Sequence, residues 1–166
     1  MPKRLRTRLN VQLSIKLRLI KQKFPDADYG GCGKIALVLG DMFKRLGYKV
    51  SYVLLAIDDF DKFEPILNNK LLPVYKQRDY LQNLEWRHVM VKVDGKLIDL
   101  SGSYNSIEEY VMSDESNEGM EIVGELSEKL LKHWVSCRWY WNHEFDWNKV
   151  KLIKKELKNI EKDLVK

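Results

Sequence analysis

The stretch Tyr29-Gly30-Gly31-Cys32-Gly33-Lys34-Ile35-Ala36 sets a lone thiol among small residues. A cysteine attacks as its thiolate, and that form is favoured where unpaired backbone N–H groups and the positive end of a helix dipole meet the sulfur. From Ile35 onward the apolar positions Ile35, Ala36, Leu39, Met42, Phe43 and Leu46 recur at helical spacing, and Gly47 stands where a helix would stop. Cys32 is therefore predicted to open a helix of about residues 32 to 46 and to serve as a nucleophile. Gly30, Gly31 and Gly33 carry no Cβ, which leaves room for a substrate carbonyl against the helix N–H groups.

A nucleophilic thiol needs a base, and the segment 86 to 100 offers one. Trp86-Arg87-His88-Val89-Met90-Val91-Lys92-Val93 and Lys96-Leu97-Ile98-Asp99-Leu100 flank Asp94-Gly95, a strong signal for a hairpin with a two-residue turn. In that register Val93 pairs with Lys96, Val91 with Ile98 and Met90 with Asp99, so His88 and Asp99 are diagonal neighbours on one face. Val89, Val91, Val93, Ile98 and Leu100 form the other, apolar face. A carboxylate beside an imidazole fixes its tautomer and stabilises the imidazolium formed when the ring accepts a proton. A thiol facing that ring would complete an activated nucleophile.

A glycine-flanked cysteine opening a helix, followed in chain order by a strand His and an Asp ending the next strand, resembles the papain-like and transglutaminase-like superfamily of cysteine enzymes, in its compact bacterial and phage forms. The resemblance covers about residues 29 to 102. It implies an α+β fold with a papain-like core, in which the nucleophile helix packs on an antiparallel sheet flanked by N- and C-terminal helices. It also implies Cys32 as nucleophile, His88 as general base and acid, and Asp99 as the group that orients His88. The expected activity is a cysteine peptidase (thiol protease), amidase, deamidase or transglutaminase-like transferase acting through a thioester. One position departs from the pattern: where papain-like peptidases hold an oxyanion-hole Gln ahead of the cysteine, this chain has Asp26. The Cys32 backbone N–H supplies one oxyanion donor, and Tyr29, Gln22 or another backbone N–H is the candidate second. Gly30, Gly31, Gly33 and Trp86 are the expected substrate-binding residues, and a protein or peptide the expected substrate.

The remaining elements follow from pattern. The 166 residues are expected to form one domain: a basic N-terminal helix (1–24), a catalytic core (25–102), a mixed, aromatic-rich helical region (103–146) and an amphipathic C-terminal helix (147–166). Residues 9 to 20 fit two periods, since Leu9, Val11, Leu13, Ile15, Leu17 and Leu19 alternate while Leu5, Leu9, Leu13, Leu17, Ile20 and Phe24 make a helical stripe. Their helix-forming composition and the lack of a turn signal before Pro25 favour helix. Residues 25 to 31 read as a loop, 48 to 57 as a strand, and 58 to 86 as short helices broken by Pro65 and Pro73. Ser101-Gly102-Ser103 reads as a loop, 106 to 112 as a short helix, 113 to 119 as an acidic surface loop and 127 to 141 as helix. In the last segment Val150, Ile153, Leu157, Ile160 and Leu164 mark an apolar face, with Lys151, Lys154, Lys155 and Lys158 turned to water.

Residues 1 to 24 hold eight Lys/Arg and no acid, and residues 147 to 166 hold seven Lys against three acids. These ends carry +8 and +4, so with a net charge of +5 the middle carries −7. The basic character thus belongs to the ends and not to the segment around Cys32, which makes nucleic acid the less favoured partner. A noncatalytic interaction module of the same fold, binding nucleic acid or a partner protein through its basic end helices, is the alternative reading. No apolar run has signal-peptide or membrane-spanning form. Two cysteines, at 32 and 137, suit neither a disulfide framework nor a metal site. The expectation is a soluble cytoplasmic protein with free thiols, no membrane partner, no cofactor and no metal. Cys137, among Trp134, Trp139, Tyr140 and Trp141, reads as a core thiol, and His133 and His143 as surface residues. Gly33-Lys34 is no phosphate loop, because Asp28 and Ile35 stand where Gly and Ser or Thr are needed.

Overall fold

The computed structural model describes residues 7–28, 31–57, 69, 71–81, 88–136 and 147–165. Along the chain these form α1 (Thr7–Lys23), a 3-10 turn (Pro25–Asp28), α2 (Cys32–Arg45), β1 (Val50–Ala56) and α3 (Val74–Leu81). Then follow β2 (His88–Val93), β3 (Lys96–Asp99), β4 (Gly102–Tyr104), α4 (Ile107–Met112), a 3-10 turn (Glu115–Asn117), β5 (Glu121–Leu126), α5 (Glu128–Ser136) and α6 (Trp147–Val165). The class is α+β, with one antiparallel five-stranded sheet in the order β4-β3-β2-β1-β5.

The hairpin register is the one the sequence predicts: Val93 pairs with Lys96 and Val91 with Ile98. Asp94 and Gly95 both have positive φ, 50° and 77°, the conformation that matches a two-residue turn to the twist of its strands. On the first face of the sheet Val89, Val91, Val93, Ile98 and Leu100 join Tyr52, Leu54 and Ala56 of β1 in the main core, under α1, α2, α5 and α6. The opposite face is also buried. There Val53, Leu55, Met90, Leu97, Tyr104 and Tyr110 form a second, smaller core beneath α4. With both sides covered, β1 reads as a continuous apolar run from Tyr52 to Ala56 instead of alternating.

Helix α2 ends as its sequence suggests. Gly47 adopts φ +85°, the Gly47 N–H donates to Lys44 O, and the Tyr48 N–H donates to Phe43 O. The Phe43 and Tyr48 rings meet edge to face at 5.9 Å, the apolar contact that accompanies this kind of helix stop.

The double periodicity of residues 9 to 20 has a structural cause. In α1, Leu13, Leu17 and Ile20 are buried, while Val11, Ile15 and Leu19 are each more than half exposed on the opposite side of the helix. Two apolar stripes on one helix produce an alternating sequence without a strand. At the other end of the chain Val150, Ile153, Leu157, Ile160 and Leu164 are buried and Lys151, Lys154, Lys155 and Lys158 are exposed, as expected. Arg45 grips Glu161 with two hydrogen bonds of 3.0 and 2.9 Å, and Lys16 pairs with Asp163, so α6 is tied to both α2 and α1.

Several segments differ from their sequence reading. Pro25–Asp28 is a turn of 3-10 helix instead of a loop, and the acidic segment after α4 also contains a 3-10 turn, with Asn117 buried. Gly102–Tyr104 is a strand, too short to show a period, and extends the sheet past the hairpin. The β5 strand, Glu121–Leu126, is unheralded because it lies at the sheet's edge with only Val123 and Leu126 buried, and its register slips against β1 between Leu54 and Leu55. Helix α3 starts just after Pro73, while Pro65 lies outside the described residues, as do Cys137, Trp139, Tyr140, Trp141 and His143.

Candidate active site

Cys32 is the first residue of α2. Gly31 caps the helix with no side-chain hydrogen bond, and the first intrahelical bond runs from the Ile35 N–H to Gly31 O at 2.9 Å. The N–H groups of Cys32, Gly33 and Lys34 precede that bond and have no carbonyl a turn behind them within the helix. All three residues are buried, so their donors and the dipole act at short range around the sulfur.

His88 opens β2, paired with Leu55 of β1. Alternation places its Cα on the side of the second core, where the imidazole stacks on Tyr110 with centroids 5.7 Å apart and planes inclined by 2°. At the same time Cys32, a member of the main core, lies near enough to the ring to help raise its pKa. The imidazole thus sits at the rim of the sheet, between the two cores. Its Nε2 lies 2.8 Å from Asp99 Oδ2, which leaves Nδ1 as the ring nitrogen for the sulfur.

Asp99, the last residue of β3, is held from its other oxygen too. Oδ1 accepts the Ser101 N–H at 2.7 Å and the Ser101 hydroxyl. Ser101 in turn shares a 2.8 Å hydrogen bond with the Tyr104 hydroxyl. Its carbonyl accepts from Arg18 Nε at 2.9 Å, and the Ser103 N–H donates to Ser14 Oγ at 3.0 Å, so α1 clamps the chain just after Asp99. Gly102 between these contacts has φ +147° and lies under Ser14 and Arg18, a backbone state that other residues rarely adopt.

The relative exposures of Cys32, His88 and Asp99 are 3%, 6% and 5%, so their mutual interactions are little screened by water. Burial alone would hold His88 neutral, but its hydrogen bonds to Asp99 and Cys32, with their charges, outweigh that and raise its pKa well above 6.5. Burial likewise disfavours the Asp99 carboxylate, yet the His88 hydrogen bond and charge, with the two Ser101 donors, bring its pKa below 3.8. Both shifts favour an imidazolium beside a carboxylate, the state that a neutral His88 reaches when it takes the proton of a neighbouring thiol.

Comparison with protein-family models, curated proteins and solved structures finds no match.

The structure brings Cys32, His88 and Asp99 together from α2, β2 and β3. Gly31 and Gly33 flank the sulfur, whereas Tyr29, Gly30 and Trp86 lie outside the described residues. Gln22 is exposed on α1 and lines a groove between α1 and α6 that none of the three site residues borders. Asp26 is at the surface, paired with Lys149 of α6 at 2.6 Å. Trp134 is fully buried packing in the main core. His133 is half-buried, with Nε2 3.4 Å from Arg78 Nη1. Among the described residues no group of three or more His, Cys, Asp or Glu side chains could hold a metal ion, and no helix is long and apolar enough to cross a membrane. Three site neighbours carry no sequence role in the hairpin pattern: Ser101, Tyr104 and Tyr110. For Ser101 the signal was present, a hydroxyl two residues after a strand-end Asp, the spacing at which an Asp side chain receives its own downstream N–H.

Proposed function

We propose that the protein is a cysteine-dependent enzyme acting on an acyl or amide group, with Cys32 as nucleophile, His88 as general base and acid, and Asp99 orienting His88. The observation that carries this reading is the buried His88 ring, with Nε2 2.8 Å from Asp99 Oδ2 and under the influence of Cys32, which stands at an uncapped helix start. With Nε2–H donated to Asp99, Nδ1 accepts the thiol proton and the sulfur attacks the carbonyl carbon. The N–H of Cys32 faces the oxyanion that forms, with Gly33 or Lys34 N–H as the second donor. As the tetrahedral intermediate collapses, Nδ1–H gives its proton to the leaving amine and a thioester remains on Cys32. Water or an acceptor amine then releases the acyl group by the reverse proton path. The α+β fold, with the Cys32 helix against an antiparallel sheet, is compatible with a papain-like or transglutaminase-like core, and a protein or peptide substrate in the cytoplasm fits the same reading. Because Cys32 is 3% exposed, substrate has to displace neighbouring groups to reach it.

The test uses p-nitrophenyl acetate as a model acyl donor. Mass spectrometry of the intact chain and its peptides should find one acetyl group on Cys32, a product burst in step with it, and neither in Cys32→Ala. Acetylation confined to lysines, unaltered in Cys32→Ala, would exclude the enzyme reading.

The noncatalytic interaction module is favoured by one specific observation, the stripe of Val11, Ile15 and Leu19 exposed on the outer side of α1, an apolar face of the kind that partners cover. On that reading Cys32 acts only as a buried core thiol.

A further inference from the structure

We propose that Ser101 and Tyr104 extend the hydrogen bond between His88 and Asp99 into a four-member chain beside Cys32, in which they are positioning residues that temper the basicity of Asp99. The inference rests on the reading of Cys32 as a nucleophile activated by His88.

The direction of each bond follows from counting protons. An ionised carboxylate only accepts, so the Ser101 hydroxyl must donate to Asp99 Oδ1. A serine hydroxyl has one proton, which leaves its oxygen to accept. The 2.8 Å contact between Ser101 Oγ and Tyr104 Oη is therefore a bond donated by Tyr104. Both residues stand at fixed points: Ser101 is held by Arg18 at its carbonyl and by Asp99 at its N–H, and Tyr104 is 5% exposed, paired in β4 with Leu97 and packed edge to face on Tyr110 at 5.1 Å. The groups facing the chain are Cys32 from α2, His88 from β2, Tyr110 from α4 and the Arg18 guanidinium from α1.

Each donor to Asp99 spreads its negative charge and weakens its pull on the His88 proton. Two donors reach Oδ1, the Ser101 N–H and its hydroxyl. The N–H stays when the hydroxyl is removed, so Ser101→Ala changes the electronics of Asp99 more than its place. Without the hydroxyl, Asp99 is the stronger base and His88 keeps its proton to higher pH. Tyr104 acts on Asp99 only through Ser101, so its removal has the same sign and a smaller size, and none at all once Ser101 has lost its hydroxyl.

The experiment is the pH profile of Cys32 labelling by iodoacetamide in the full chain, resolved by peptide mass spectrometry. The variants are Ser101→Ala, Ser101→Thr, Tyr104→Phe, the double variant Ser101→Ala/Tyr104→Phe, and His88→Ala. The alkaline step at which His88 loses its proton should move up by on the order of one unit in Ser101→Ala, the scale of one hydrogen bond to a charged group. It should move up less in Tyr104→Phe and no further in the double variant than in Ser101→Ala, and Ser101→Thr should restore it. A step that stays in place in Ser101→Ala and Tyr104→Phe while their melting temperatures fall would reduce both residues to packing and overturn the inference. So would shifts that add in the double variant. Should Ser101→Ala not fold, Tyr104→Phe decides alone, and an unmoved step there overturns it. Failure of the underlying reading is separately visible, as a wild-type profile that His88→Ala leaves unchanged.

Discussion

His88 Nε2 and Asp99 Oδ2 stand 2.8 Å apart, brought together by a two-residue turn and buried on every side. This pair makes stability depend on pH in two directions. The raised pKa of His88 contributes stability in full below 6.5, its ordinary value, and that contribution fades as pH rises through the raised one. The lowered pKa of Asp99 contributes above 3.8, and that contribution is lost as pH falls toward the lowered value. The pair is thus most stabilising from about pH 4 to about pH 6.5. Asp99→Asn should lower the melting temperature most in that window, by the equivalent of about 1.5–3 kcal/mol, and converge on the wild type in strong alkali. Thermal melts of both proteins across pH check this, and a constant difference at all pH values would count against the ion pair.

Asp99→Asn should also slow Cys32 acylation without abolishing it. An amide can still receive the His88 Nε2–H through its oxygen and orient the ring, but it stabilises the imidazolium less. Single-turnover acylation rates compared with His88→Ala, which should be slower still, check the order.

Gly40, on the sheet-facing side of α2, lies against Tyr52. A Cβ built there comes within 2.8 Å of Tyr52 Cε1 and Cζ, and closer still to its hydroxyl. Gly40→Ala should therefore destabilise the fold by about 1–3 kcal/mol through overpacking. Tyr52→Phe should not relieve it, because ring carbons are also in the way, whereas Tyr52→Ala in the same background should. Chemical denaturation of the three variants decides.

The C-terminal helix holds the body together through its buried apolar face, and its first residue, Trp147, lies with its ring 5.0 Å from the Lys34 ammonium, two residues past Cys32. Ile153 is fully buried against the core, so Ile153→Ala should cost about 2–5 kcal/mol in denaturation while the folded fraction keeps wild-type Cys32 reactivity. Loss of reactivity at full folding would place α6 in the site.

Much of this arrangement is legible in the sequence because its signals are local. Asp94-Gly95 fixes the register that puts His88 near Asp99, Gly47 marks the end of α2, and the apolar spacing from Ile35 onward sets its start at Cys32. What escapes is set by distant partners. The β5 strand exists because β1 offers it an edge, and its own Gly124 and two exposed glutamates hide any alternation. The apolar face of the hairpin is readable, but burial of the His88 face is not, since Tyr110 covers it from α4, beyond the hairpin in the chain. The role of Ser101 likewise depends on Arg18 and Ser14 of α1, whose contact with residues 101 to 103 no local pattern announces.

Activation of the Cys32 thiol by His88 is what every step above depends on. The most direct measurement is the rate of Cys32 labelling by iodoacetamide from pH 5 to 10, peptide by peptide, with Cys137 as the internal comparison, in the wild type and His88→Ala. Labelling of Cys32 should be rapid near neutral pH and drop at least about tenfold in His88→Ala, with Cys137 unaffected. Equal, slow labelling of Cys32 in both proteins, rising only in alkali like an ordinary thiol, would contradict it.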